Sequence, residues 1–157
     1  MKTITTLLSG AAMLAASTAL AQDDASPMSG MDAVLAEMDI HVTDVATEGL
    51  SSLLDADHIA VLKSLAHQHA IGATCDNFEV DETRNTEELA HVFEHLGKIE
   101  GEDEVQAAIL TVMMGYSVML GGQHAIAATD YSKFCRHAAD EMANEGPDAH
   151  LILVMSE

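Results

Sequence analysis

The chain has 157 residues, 26 acidic and 6 basic, and a formal charge of −20 at pH 7 with its nine histidines neutral. A surface that anionic repels phosphate backbones and anionic lipid headgroups. It therefore argues against nucleic-acid and membrane-surface roles and suits cationic, metallic or apolar partners, or simple solubility in a salty habitat. Trp is absent, Tyr and Phe number two and three, and no β-branched run of period two occurs, so the expected fold class is all-α.

The first residues read as a secretory signal peptide over 1–21. Lys2 forms a short positive region, an apolar run follows through Leu7, Leu8, Ala11, Ala12, Met13, Leu14 and Ala16, and Ala19-Leu20-Ala21 is a small-x-small cleavage site. The mature chain is then expected to begin at Gln22, in the bacterial periplasm. The apolar run is too short and too often interrupted to span about 30 Å of hydrocarbon. No cysteine follows it to carry a lipid, and no later membrane span is expected. Cleavage would leave 136 residues, 26 acidic against 5 basic, or about −21. That length suits one domain, expected over 31–157 after a polar leader at 22–30 that contains Pro27 and Gly30.

About five helices are expected. The first runs from Met31 to Glu48, with Val34, Leu35, Met38 and Val45 as a partial apolar stripe. The second is capped by Asp55 or Asp57 and turns Ile59, Leu62, Leu65, Ala66 and His69 inward, ending near Gly72. Asn85 and Glu88 form a capping box for a third helix with Leu89, Val92, Phe93 and Leu96 inside, stopped at Gly97. The fourth runs from Glu102 to Leu120 on Val105, Ile109, Val112, Met113, Tyr116 and Leu120, with Gly121-Gly122 expected to end it. The last starts at Thr129 or Asp130 and passes Phe134, Cys135, Ala138 and Met142. The apolar tail Leu151–Met155 is expected to pack as an extended segment.

Cys75 and Cys135 are the only cysteines, and two cysteines in an exported chain are expected to pair. Closing that loop would stabilise the fold by at most roughly 4 kcal/mol in the chain-entropy model. The pair lacks the C-x-x-C spacing of a redox couple. Among the histidines, His91 and His95 lie four apart on one helix, and His67-Gln68-His69 is an H-x-H pair. These four are the candidate ligands for zinc or copper, because imidazoles and carboxylates are what such ions take. His91-Val92-Phe93-Glu94-His95 is not the H-E-x-x-H of zinc proteases, since the glutamate stands at the wrong offset. Met28-Ser29-Gly30-Met31 is an M-x-x-M that would suit copper(I), whereas Met113, Met114 and Met119 read as core fillers. No serine stands in a glycine elbow, and the carboxylates are too many to single out a pair, so no catalytic residue is expected and the chain is read as non-enzymatic.

The segment Thr74-Cys75-Asp76-Asn77-Phe78, followed by Val80-Asp81-Glu82, resembles the first cysteine segment of the periplasmic acid-stress chaperones of the HdeA type. Gly115-Tyr116 with Gly121 is similar to a Gly-Tyr element of that family's relatives, and Cys135 stands where a second cysteine would. The resemblance spans Thr74 to Met142, and the helical segment Met31–Gly72 lies outside it. It implies a small exported helical protein with one disulfide, no cofactor, and unfolded or envelope proteins as clients. Acid would swing the charge from about −21 towards about +14 as carboxylates protonate and the nine histidines charge. The functions expected are a stress-protection or acid-activated holdase, with a histidine-based metal-binding protein and an interaction module for another envelope protein as alternatives. A homodimer is compatible with each.

Overall fold

Five helices and two short strands make up the computed structural model, which describes residues 30–145 and 151–156. In chain order they are α1 (Gly30–Leu50), α2 (Ala56–Thr74), β1 (Phe78–Val80), α3 (Glu82–Leu96), α4 (Glu102–Thr129), α5 (Tyr131–Glu145) and β2 (Leu153–Met155). The fold is the expected all-α bundle with one disulfide. The expected signal peptide, its cleavage site and the expected leader up to Ser29, Met28 included, lie outside the described residues.

Short polar side chains set the helix starts. Asp55 caps α2, its Oδ1 accepting the His58 N–H at 3.0 Å. Asp81 does the same for α3, accepting from Thr83 N (3.0 Å) and Arg84 N (3.1 Å). α3 therefore begins before the Asn85–Glu88 box, because Asp81 reaches the free N–H groups first. Asp130 accepts from Lys133 N at 3.0 Å and starts α5. α4 starts after Gly101, whose φ of 99° is closed to most side chains.

Two expectations about α1 and α4 are corrected. Gly121-Gly122 does not end α4, which continues to Thr129. At buried Gly122 a Cβ would stand 2.8 Å from Val42 Cγ1, and at half-buried Gly115 one would stand 2.9 Å from Leu50 Cδ1. The two glycines let α1 lie antiparallel against α4, and that packing outweighs the roughly 1 kcal/mol helix penalty of each. The docked side of α1 is therefore Val42, Ala46 and Leu50. Val34 and Val45, expected inside, are 58% and 56% exposed.

The main core joins α1 to α4 through Ala46, Leu50, Leu54, Leu62, Val92, Leu96, Val112 and Met119. A second cluster holds Ile71, Cys75, Phe78, Ala138 and Leu153. Within it Cys75 and Cys135 form the disulfide, with Cα atoms 5.5 Å apart across 60 residues of sequence. Cys75 is the C-cap of α2, so the bond ties α2, not the start of α3, to α5. The apolar tail is strand β2, antiparallel to β1, with Phe78 opposite Met155 and Val80 opposite Leu153. Its backbone is clamped by buried Gln68, whose Oε1 accepts from Ile152 N (2.8 Å) and Leu153 N (3.1 Å) while Nε2 donates to Ser64 Oγ (2.8 Å). Gly72 lets β1 cross α2, since a Cβ there would stand 2.7 Å from Val80 Cγ2.

Candidate functional site

Residues two apart on a helix face different ways, and α2 accordingly sends His67 and His69 apart. His69 Nε2 lies 3.0 Å from Asn85 Oδ1 on α3, with its ring edge-on to Tyr116. His67 lies on the opposite side, in a cavity of about 520 Å³ between α1, α2, α4 and α5. There Gln123 Nε2 donates to Asp39 Oδ1 (2.7 Å), which fixes the amide orientation and turns Oε1 towards His67 Nδ1 at 2.9 Å. His67 Nε2 meets Glu141 Oε2 at 3.2 Å, and Glu141 Oε1 meets His137 Nε2 at 3.3 Å. Both ring nitrogens of His67 thus face acceptors. The pair His67 and His69 is divided between two structural networks, and neither ring has lone pairs turned to a common point.

His91 and His95 do share one face of α3, and a third ring joins them from α2. The His58 centroid is 4.6 Å from that of His95 and 5.2 Å from that of His91. Asp55 completes the group, with its Oδ1 2.6 Å from His58 Nδ1. Donor atoms of Asp55, His58 and His95 all lie within 4.8 Å of one another. The His58 backbone N–H, and then its ring, hold the Asp55 carboxyl below its ordinary 3.8. An ionised carboxylate accepts only, so His58 Nδ1 is the donor in this contact. The sequence pointed to His91 and His95. His58 and Asp55 went unseen, because an Asp-x-x-His at a helix start is ordinary capping until the facing helix is known.

A second candidate surface lies along α4. No Asp, Glu, Lys or Arg occurs from Val105 to Thr129. One face of that helix enters the core through Ala108, Val112 and Met119, and the other is bare. Leu110 is 60% exposed, Met114 70% and Val118 46%, at four-residue spacing with Met113 beside them. Met113 and Met114 are therefore outward residues and not core fillers. Beside this ridge runs a shallow groove of about 280 Å³, lined by Val45, Gly49 and Leu50 of α1 and by Thr111, Met114, Gly115 and Val118 of α4. α1 supplies the rim with exposed Asp44 and Glu48 and carries no Lys or Arg. By length and composition α4 could cross a membrane, contrary to the expectation that no later segment would, and 22% of its most apolar window is buried. Comparison with protein-family models, curated proteins and solved structures gave no match.

Proposed function

We propose that the protein is an exported, non-enzymatic binding protein of stress-protection type, which holds an apolar, basic-flanked polypeptide segment against its α1–α4 face. The carrying observation is the charge-free outer ridge of α4, with Leu110, Met114 and Val118 left exposed in a chain of formal charge −20. A monomeric surface seldom leaves such a patch without use. An uncharged wall beside an anionic one complements an amphipathic basic segment. A bilayer is the poorer occupant, because the same acidic rim repels anionic headgroups.

The ridge is already outside in the folded chain, so acid is not needed to display it. Lowering the pH removes the rim's attraction and leaves the apolar contact. Loosening by like-charge repulsion then adds inner faces to the ridge. That behaviour agrees with the resemblance of Thr74–Glu82 to the acid-stress chaperones.

The test is fluorescence anisotropy with a labelled Leu/Lys amphipathic peptide. Fully burying a Met side chain is worth about 1.5–3 kcal/mol. Met114, 70% exposed, would therefore contribute about 1–2 kcal/mol, so Met114→Gln should weaken binding by roughly 5- to 30-fold. The wild type should also suppress light scattering by an acid-sensitive client at near-stoichiometric amounts. Absence of binding, or an affinity unchanged in Met114→Gln and Leu110→Gln, would sink the proposal. Concentration-dependent dimers abolished by those variants would replace the client with a second copy, and tight binding to neutral vesicles would replace it with lipid.

A further inference from the structure

We propose that the first turn of α2 and the C-terminal half of α3 form a site for one divalent ion of borderline softness, zinc or copper(II). Asp55, His58 and His95 are its ligands, and His91 is the fourth donor from the adjoining turn. The site shares no residue with the α1–α4 face and stands whether or not that face binds polypeptide.

Three observations carry it. First, the donors converge from two helices whose neighbouring residues are fixed in the core. Ile59 and Leu62 follow His58, Val92 follows His91 and Leu96 follows His95, all four of them buried. Second, Asp55 Oδ1 and His58 Nδ1 already stand 2.6 Å apart, so an ion that takes both as ligands has only to displace the proton between them, which the ring can carry on Nε2 instead. Third, among the described residues no hydrogen bond from the protein engages the ring of His91 or His95, so their lone pairs are available. The His95 and His91 rings lie close enough to that of His58, with centroids 4.6 and 5.2 Å away, for all three to reach one ion.

The distances fit a small adjustment. Metal–ligand bonds of about 2.0–2.1 Å in a tetrahedron put donors roughly 3.3 Å apart. The present donors lie within 4.8 Å, and His58 and His95 are half-buried, with room for the rings to turn. Imidazole with one carboxylate selects zinc and copper(II) over calcium or magnesium, which prefer all-oxygen sets.

The experiment is calorimetric titration of the folded protein with zinc chloride, and cobalt(II) absorption as a probe of geometry. Saturable one-to-one binding is expected, with affinity falling at least about tenfold in His58→Ala and in His95→Ala and unchanged in His124→Ala. Asp55→Asn is the variant that protects the fold, since Asn caps a helix as well as Asp, and it should also weaken binding. As a second readout on the wild type, zinc should shield His58 and His95, but not His124, from acylation by diethyl pyrocarbonate. Weak, unsaturable uptake that none of these substitutions alters, or equal acylation of all three histidines with and without zinc, would overturn the site and leave stacked imidazoles on an acidic surface. Peptide binding on α4 should be the same in every one of these variants, so loss of either activity is read independently of the other.

Discussion

Two glycines six residues apart on α4 should respond oppositely to the same substitution. Gly121 is exposed and a Cβ there meets nothing within 4 Å. Gly121→Ala should therefore return the helix-propensity gain of about 1 kcal/mol. At Gly115 the new Cβ would stand 2.9 Å from Leu50 Cδ1 and 3.0 Å from both Cδ2 and Cγ. Leu50 is 0% exposed, so its side chain has nowhere to retreat. Carbon–carbon contacts are comfortable only at about 3.5–4.0 Å, so α1 must move out by something like half an ångström. Overpacking of that kind costs about 1–3 kcal/mol. Subtracting the same propensity gain leaves Gly115→Ala neutral to about 2 kcal/mol destabilised, and roughly 1–3 kcal/mol below Gly121→Ala. With an m-value near 2 kcal/mol/M, urea midpoints followed by circular dichroism should differ by about 0.5–1.5 M. If Gly115→Ala proved as stable as Gly121→Ala, α1 would not be docked on this face of α4, and the groove beside Met114 would not exist as described.

Burial pushes the Tyr116 phenol up to about 12 from 10.0, and the sign of the linkage follows. A folded pKa above the unfolded one gives stability that is intact below about pH 10 and lost as the pH rises towards 12, on the order of 1 kcal/mol once solvent screening of the half-buried ring is allowed for. Urea midpoints taken from about pH 8 to 11 should fall more steeply in the wild type than in Tyr116→Phe, and parallel profiles would refute the burial. Gln68→Leu should cost at least about 2 kcal/mol, because it strips an acceptor from two buried backbone N–H groups, those of Ile152 and Leu153. Limited proteolysis should then cut the C-terminal tail first. An unchanged midpoint would mean that β2 is held by its pairing with β1 alone.

The parts of the fold that were legible in the sequence are those specified locally. Asp55 caps the second helix because a short carboxylate stands just before an apolar-periodic run, and Leu62, Leu65, Val92 and Leu96 fell inside because their spacing matches one face. The presence of two cysteines, with the export expected from the N-terminal segment, sufficed for the disulfide. The misplaced parts were decided by partners distant in sequence. Nothing in α1 says that Val42, Ala46 and Leu50 dock while Val34 and Val45 face out. That choice is made by Gly115 and Gly122, which open one side of α4. For the same reason the Gly-Gly pair read as a helix stop holds a packing contact, Gly122, inside a helix that continues. The histidines divide in the same way. His91 and His95 share a face by spacing alone, and helical period could have separated His67 from His69. The approach of His58 depends on how α2 crosses α3.

The two core clusters are held by different means, and the difference bears on the proposed function. The second cluster has a covalent bond between α2 and α5 and the Gln68 clamp on the tail, so it resists separation even when packing weakens. α1 lies outside the 60-residue loop that the disulfide closes. It is attached by Val42 and Leu50 against Gly122 and Gly115, by Ala46 in the core, and by the hydrogen bond from Gln123 to Asp39. With Asp32, Glu37, Asp39, Asp44 and Glu48 and no Lys or Arg, α1 is also the most anionic of the five helices, so protonation of its carboxylates changes it strongly as acid is added. Those properties make it the first element to loosen. Its departure would uncover Met119 and the faces of Gly115 and Gly122, which continue the exposed ridge of Leu110, Met114 and Val118. Partial opening would therefore widen the proposed docking surface, while the disulfide keeps α2 and α5 joined.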